Sequence, residues 1–159
     1  MRHIGIDPGV KRSYIAYIEN DRVDVHMFYS NIDSIYSIAS VLKHRDTIYI
    51  ERPDRLDQKS TLNDILNLAI VCGQMYQSFS YYTHRCELIK PQEWKGQVPK
   101  KVTEKRVIER FPAIKKILLN VAESYRHNYY DAVGIAMHCE KVYKKNVDIN
   151  KRRRTIFRK

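Results

Sequence analysis

The sequence is poor in glycine, in cysteine and in long apolar runs, and each shortage excludes a class of protein. Its 159 residues include 5 glycines, too few for a fold that cradles nucleotide phosphates in several glycine-rich loops. The 3 cysteines are odd in number and widely spaced, which argues against a disulfide framework or a cysteine-based zinc site. No apolar run approaches the roughly 18 residues that span a bilayer. No apolar leader precedes the first strand, so we expect a soluble protein of the cytoplasm, with no membrane partner.

Positive charge is what the sequence has in excess. Lysine and arginine number 29 against 18 aspartates and glutamates, so the formal net charge is +11 and the pI is about 9.6. Such a surplus predicts a polyanionic partner, because neutralised phosphates release their condensed counterions. A merely soluble basic surface is the alternative. The length fits one domain with a real core, which we place at 1–145, followed by a mobile basic tail at 146–159 that grips nucleic acid.

A short apolar run near the N-terminus ends on one aspartate. Ile4 and Ile6 favour a strand, because β-branched residues suit a pleated surface, and Pro8-Gly9 ends that strand directly after Asp7. A strand end anchored in a sheet can hold a metal ligand firmly. Plain turn chemistry is the alternative, so other carboxylates must converge on Asp7 if it binds metal.

Four more strands follow from the pattern. Residues 13–19 and 22–28 read as strands joined by a tight turn at Asn20-Asp21. Short β-rich runs occupy 47–51 and 85–89. A strand that follows a helix after a meander usually returns beside the first strand, in parallel. We therefore predict an α/β protein with a five-stranded mixed sheet, an antiparallel meander plus two parallel strands, flanked by helices.

Apolar residues three and four apart predict the helices. The first is capped by Asp33 and reaches about Lys43, the second runs from Ser60 or Thr61 to about Tyr82, a third covers Thr103 to about Arg110, a short one covers 113–120, and the last runs from Glu123 or Ser124 to Tyr143. The apolar surface of the second helix is too wide for one sheet to cover. It predicts either a homodimer contact or burial under the C-terminal helix.

Glu51 repeats the arrangement seen at Asp7, because it too ends a strand. If the two strands are parallel neighbours, both carboxylates leave the same edge of the sheet. Adjacent carboxylates repel each other and raise one pKa, so shared divalent cations are the natural compensation. The alternative is an edge glutamate bonded to Arg52 or Arg55.

Asp131 is the third acidic candidate and lies within the apolar stripe of the last helix. A lone carboxylate on a buried face is costly unless it is paired or bound to metal. Helical spacing places His127 and Asn128 on the same side, within reach of a common ion.

The segment 90–106 is rich in cations and is broken by two prolines and one glycine. It reads as a loop over the active edge that contacts phosphate, followed by the third helix. A solvated charged face is the alternative.

Together these motifs resemble the RNase H-like nucleases, and most closely the RuvC-type Holliday junction resolvases and their phage-encoded relatives. The resemblance rests on Gly5-Ile6-Asp7-Pro8-Gly9, on Ile48-Tyr49-Ile50-Glu51 and on the ten residues His127 to Ala136. The segment from Lys95 to Lys100 is similar to the loop that precedes the late helices in the phage enzymes. The resemblance covers Arg2 to about Lys141.

The resemblance implies that Asp7, Glu51 and Asp131 hold two Mg²⁺ ions, for which Mn²⁺ is a possible substitute. The family often has an acidic residue or a histidine three positions before the last aspartate, where this chain has Asn128. Asn128 is therefore the expected fourth ligand, with His127 as the substitute candidate.

The family also places a basic residue near the scissile phosphate. Lys95, Lys100, Lys101 and Lys105 are the candidates, of which we take Lys101 as catalytic. The expected DNA contacts are Arg52, Arg55, Lys59, Lys95, Lys100 and Lys105.

The implied function is that of a homodimeric endonuclease that resolves four-way (Holliday) junctions by two-metal hydrolysis, leaving a 5′ phosphate and a 3′ hydroxyl. One alternative is a flap or fork debranching endonuclease of the same fold. Another is a non-catalytic nucleic-acid-binding protein whose incomplete acid set has lost metal affinity. An actin-like sugar kinase or ATPase also begins with a Gly-Ile-Asp strand, but the scarcity of glycine excludes it.

Overall fold

The computed structural model describes residues 1–54 and 61–156 as one α/β unit. The strands are β1 (His3–Asp7), β2 (Arg12–Glu19), β3 (Arg22–Tyr29), β4 (Thr47–Glu51) and β5 (Arg85–Ile89). The helices are α1 (Ile32–Ser40), α2 (Leu62–Tyr82), α3 (Pro91–Trp94), α4 (Lys100–Arg110), α5 (Ile114–Ile117) and α6 (Glu123–Ile156). In the described part of the chain, no helix is both long and apolar enough to cross a membrane.

The sheet has the predicted topology. Its strand order is β3-β2-β1-β4-β5, with β1, β2 and β3 antiparallel and β4 and β5 parallel to β1. The turn between β2 and β3 places Asn20 and Asp21 at φ values of 50° and 58°, the left-handed region that hairpin turns use and that Asn and Asp tolerate. The meander and the parallel crossover are confirmed.

Helices cover both faces of the sheet, each over its own core. On one face, α1 and α2 pack against alternate residues of the central strands, among them Ile4, Ile6 and Ile48. On the other face, α4, α5 and α6 pack against the intervening residues, such as Tyr14 and Ala16. This alternation follows from the two-residue period of a strand.

The structure excludes one of the two environments predicted for the second helix. Buried residues such as Met75 and Phe79 anchor α2 to the sheet face opposite α6. The alternative of burial under the C-terminal helix is therefore wrong. The outer face of α2 leaves Leu62, Leu66 and Ile70 exposed at 63%, 52% and 58%.

Several helix boundaries differ from the prediction, each for a local reason. Helix α1 is capped by Asn31, whose side chain accepts a hydrogen bond from the Ser34 N–H, so Asp33 lies in the first turn and is not the cap. Helix α4 begins at Lys100, directly after Pro99. A short helix, α3, occupies part of the predicted loop, with Pro91 at its start.

The last helix is longer than predicted and continues to Ile156 instead of ending at Tyr143. No glycine follows Gly134 and no proline follows Pro112, so the sequence offers no strong stop signal. The expected mobile segment is therefore helical as far as Ile156.

Candidate active site

Asp7 and Glu51 leave the sheet side by side. In the parallel pairing of β1 with β4, Ile6 lies opposite Ile50, and each strand then ends on its carboxylate. Paired residues of parallel strands in register point to the same face. The two carboxylates therefore share one edge and one face of the sheet, as the sequence predicted.

The turn after Asp7 is held by Ser13 of β2 and by Ser30, which directly follows β3. The Gly9 N–H donates to Ser13 Oγ at 3.2 Å, and Ser30 Oγ donates to the Gly9 carbonyl at 2.6 Å. A Cβ on Gly9 would lie 2.4 Å from the Arg12 carbonyl oxygen, so only glycine fits there. The Pro-Gly turn thus fixes the position at which Asp7 is presented.

Asp131 approaches the same face from α6. A Cβ on Gly5 would meet the Ala132 carbonyl oxygen at 2.2 Å and the Ala136 nitrogen at 2.3 Å, so Gly5 lets the helix backbone lie directly on β1. Asp131, next in sequence to Ala132, is 7% exposed. This close packing brings the helical carboxylate to the end of β1 that carries Asp7.

Lys95 lies between two of the three acids. Its Nζ is 3.6 Å from Asp131 Oδ2 and 3.8 Å from Glu51 Oε2. The indole Nε1 of Trp94 donates to the same Glu51 oxygen at 2.5 Å. The carboxylate of Glu51 therefore faces Trp94 and Lys95, and within the described residues it is not paired with Arg52. The other partner of that alternative, Arg55, lies outside the described residues.

The electrostatics confirm that the acids are crowded. The pKa of Asp7 is raised well above its usual value, first by desolvation and then by repulsion from Glu51 and Asp131, while Lys95 and Lys100 oppose the rise. The pKa of Glu51 is also raised, chiefly by desolvation, against the opposing effects of Lys95 and the Trp94 hydrogen bond. Burial and repulsion thus disfavour the ionised forms of Asp7 and Glu51, and a bound cation would favour them.

This crowding predicts how stability depends on pH. Because the folded pKa of Asp7 exceeds its unfolded pKa, the native state retains a proton that the unfolded chain releases. The resulting stability is complete below the unfolded pKa and is lost as pH rises through the folded pKa. In metal chelator at pH 7, we expect Asp7→Asn to raise Tm above wild type, by roughly 2–4 °C for each kcal/mol of desolvation and repulsion relieved.

Differential scanning calorimetry of both proteins from pH 4 to pH 8 measures this effect. The Tm difference should shrink towards pH 4, where wild-type Asp7 is protonated as well. A lower Tm for Asp7→Asn at pH 7 would contradict the crowding.

The donor set is the chemical kind that binds a hard divalent cation. Three carboxylates converge on one edge, and carboxylate oxygens are the ligands that Mg²⁺ prefers. Across 1–54 and 61–156, no three His, Cys, Asp or Glu side chains are grouped closely enough to hold an ion as they stand. The Lys95 ammonium lies between Glu51 and Asp131. The residues fit a divalent ion in chemistry, with Lys95 as its competitor.

The remaining predicted ligands lie on the first turns of α6. His127 and Asn128 are partly buried. The pKa of His127 is lowered by burial and by Lys100, against the effect of Asp131, which favours the neutral ring, the form that binds metal. Asn128 lies three residues before Asp131 on the same side of the helix. Which of the two is the fourth ligand stays a prediction.

The predicted basic residues are placed unequally. Lys95 contacts the acids, and Lys100, at the start of α4, acts on them electrostatically. Lys101 is exposed on α4, and Lys105 pairs with Glu109 at 3.8 Å on the solvent side. The catalytic role of Lys101 stays a prediction, as do the DNA contacts of Arg52, Lys100 and Lys105.

Arg55 and Lys59 lie outside the described residues, so their predicted DNA contacts are not addressed by the structure.

A basic groove, which the sequence analysis missed, leads away from the acids. It is a cavity of about 470 Å³ between α4 and α6 with Trp94 and Lys95 at one end. Its other basic lining residues are Arg106, Arg110, Lys141 and Lys144. Glu140 is the one carboxylate among the lining residues, and it bonds to Arg110 and Lys144. The spacing of these residues along two helices was the available signal, but it needed the pairing of α4 with α6.

Comparison with known proteins was made by sequence and by structure. No family model matches the chain, and no curated protein matches its sequence. Solved structures do match. Thermus thermophilus RuvC shares 15% identity at a TM-score of 0.58, covering 87% of this chain and 92% of that chain. The yeast mitochondrial Holliday junction resolvase Ydc2 shares 15% identity at a TM-score of 0.54, covering 85% of this chain and 75% of that chain.

A third similar structure is T. thermophilus RuvC in complex with a Holliday junction substrate, at 13% identity and a TM-score of 0.57, covering 92% of this chain and 96% of that chain. The match spans nearly the whole length of both proteins, and the strand order and helix placement described above agree with the predicted class. The chain therefore has the RNase H-like fold of the RuvC Holliday junction resolvases.

Proposed function

We propose that this protein is a metal-dependent endonuclease that cuts four-way DNA junctions. The observation that carries the proposal is the convergence of Asp7, Glu51 and Asp131 on one edge of the sheet around Lys95. The excess of positive charge and the shared fold with a RuvC that was solved on a junction substrate add support.

Asp7, Glu51 and Asp131 would hold two magnesium ions, with Asn128 or His127 as a further ligand. When bound, the ions would lower the pKa of the attacking water and neutralise charge on the phosphate and on the leaving 3′ oxygen. Water would attack in line, leaving a 5′ phosphate and a 3′ hydroxyl.

The chain's own residues supply orientation and charge. The sheet edge and the Pro8-Gly9 turn fix the position of Asp7. The close contact of the α6 backbone with Gly5 fixes the distance of Asp131 from the sheet. Lys95 carries a positive charge that a phosphate approaching the acids would meet, which is the kind of preorganised charge that stabilises a phosphoryl-transfer transition state. On this geometry, Lys95 is a better candidate than Lys101 for the basic residue beside the scissile phosphate.

The basic groove would carry the DNA backbone away from the acids. From Gly134 to Lys144 it follows α6, which is roughly 15 Å of helix at 1.5 Å per residue. Arg106 of α4 and Lys141 of α6 both line it. Their charges are suited to phosphate contacts that add affinity without reading sequence.

We expect Arg106→Gln and Lys141→Gln each to weaken junction binding uniformly across sequences. Because each change removes one phosphate contact, the slope of log K against log salt should fall by about 0.9. Fluorescence anisotropy between 50 and 200 mM salt measures it. Lys115→Gln and Lys116→Gln, on α5 and outside the groove, are the matched controls. An unchanged slope in both groove variants would remove the groove from the DNA path.

A second copy of the chain is the proposed partner of the outer face of α2. The 21 residues of α2 include one charged residue, Asp64, and no lysine or arginine, whereas the whole chain has a net charge of +11. Two copies of so basic a chain repel each other elsewhere, so this neutral face is the favourable place for them to meet. A two-fold interface presents the same patch from both subunits and would offer two sites to the two strands of a junction.

We expect Leu66→Arg to separate the two copies. In a two-fold contact the substitution places a buried charge on both sides, and disrupting such a central residue raises the dimer Kd by roughly 30-fold or more. Analytical ultracentrifugation of wild type and variant measures the dissociation constant. Leu119→Arg is the control, since Leu119 is 66% exposed and lies away from α2. A wild type that stays monomeric at high micromolar concentration would contradict the dimer.

The proposed activity is tested on labelled synthetic DNA. A four-way junction, a flap, a fork and a linear duplex are incubated with the protein at one salt concentration, with and without Mg²⁺. Paired, symmetric cuts in the four-way junction are expected only with the metal. Preferential cutting of the flap or fork would favour the debranching alternative, and binding without any cleavage would favour a non-catalytic protein.

A further inference from the structure

The single tryptophan of the chain contacts the candidate site directly. Trp94 ends α3, and its Nε1–H donates to Glu51 Oε2 at 2.5 Å. Its ring centroid lies 4.7 Å from Lys95 Nζ, the ammonium that contacts the same Glu51 oxygen at 3.8 Å. One indole therefore touches both members of the Glu51–Lys95 pair.

The indole packs against α6 in a space that exists because Gly134 has no side chain, and we call this space the seat of the indole. A Cβ at Gly134 of α6 would come within 2.5 Å of the Trp94 ring carbon Cζ3. The ring also packs against the buried cluster that contains Tyr49, Ile89 and Ile135. Gly134 lies three residues after Asp131. Helix α6 therefore carries Asp131 and also packs against the indole that bonds to Glu51.

The segment that carries Trp94 is tied to the end of β4. The Arg52 N–H donates to the Ile89 carbonyl at 2.9 Å, and Lys90 Nζ lies 3.2 Å from Asp54 Oδ1. The Glu93 carboxylate accepts from the Lys90 N–H and closes the first turn of α3. The position of the indole relative to Glu51 is therefore set by backbone pairing as well as by packing.

We propose that Trp94 is a positioning residue that fixes the Glu51 carboxylate for metal binding. A glutamate side chain has several rotamers, and a hydrogen bond from a rigid ring selects one of them. The indole is a donor only and carries no charge. It therefore orients the carboxylate without competing with a metal ion for the site, as the Lys95 ammonium does. It engages Oε2. The inference rests on the proposed metal-dependent function and adds a residue to its machinery.

The test compares Trp94→Phe, which keeps a ring but loses the N–H, with Gly134→Ala, which keeps the N–H but obstructs its seat. Calorimetric titration of the DNA-free protein with Mn²⁺ measures metal affinity. We expect both variants to bind Mn²⁺ 10- to 100-fold more weakly than wild type, the usual effect of losing a partner that orients a ligand. Ala113→Gly, a small-residue change outside the seat, should leave the affinity unchanged.

The wild type supplies a second readout that needs no variant. Because the chain has a single tryptophan, its emission reports this indole alone, and Mn²⁺ or Ca²⁺ titration should shift the emission with the Kd found by calorimetry. A wild type that binds metal tightly with unchanged emission, or a folded Trp94→Phe with unchanged metal affinity, overturns the positioning role. A wild type that binds no metal overturns the proposed function itself, and the positioning role with it.

Discussion

Asp7→Asn should reduce junction cleavage by roughly 10³-fold or more, which corresponds to about 4 kcal/mol of lost transition-state stabilisation. Burial raises the pKa of Asp7 well above its usual value, and repulsion from Glu51 and Asp131 adds to the rise. The amide keeps the shape of the side chain but lacks the charge that a divalent ion requires. Junction affinity should be retained, because lysine and arginine carry it.

Single-turnover cleavage of a labelled four-way junction at saturating protein measures the loss, and anisotropy measures the binding. Asp24→Asn is the matched control, since Asp24 is an exposed aspartate on β3 that pairs with His26. It should cut at the wild-type rate. A wild-type rate for Asp7→Asn would rule out the proposed mechanism.

Lys95→Met should have opposite effects on metal affinity and on cleavage. The ammonium lies between Glu51 and Asp131, where a divalent ion would compete with it. Its removal should raise Mn²⁺ affinity by about tenfold, since a nearby unit charge at intermediate dielectric is worth at least ~1.4 kcal/mol. Cleavage should nevertheless fall by about 10²-fold, because a preorganised positive charge near the phosphate is lost.

Calorimetry on the free protein and single-turnover cleavage at saturating Mg²⁺ separate the two effects. Lys116→Met is the control, because Lys116 is exposed on α5 and does not line the basic groove. It should change neither quantity. A Lys95→Met protein that binds metal more weakly than wild type would show that the ammonium does not compete for the site.

The strands were predictable from the sequence because each is a short apolar run with a clear stop. Pro8-Gly9 ends β1, Arg52-Pro53 follows β4, and Asn20-Asp21 marks the tight hairpin turn between β2 and β3. The bounds of β4 and β5 are confirmed. With those strand ends fixed, the side-by-side placement of Asp7 and Glu51 needed only the handedness of a parallel crossover.

Helix starts and contacts between distant segments were harder to predict. Asn31 and Asp33 are both good N-cap residues, and which of them caps α1 depends on where the preceding strand ends. The hydrogen bond from Trp94 to Glu51 joins residues 43 positions apart, and no local pattern encodes it. Pro91 at a helix start and a lone tryptophan three residues later were the available signals.

The central claim is that Asp7, Glu51 and Asp131 bind the same divalent ions. Anomalous diffraction from crystals grown with Mn²⁺ tests it most directly. We expect manganese peaks bound by oxygens of all three carboxylates at about 2.1 Å, with the Lys95 ammonium displaced from between Glu51 and Asp131. Manganese bound elsewhere, or no bound ion at saturating concentration, would contradict the claim.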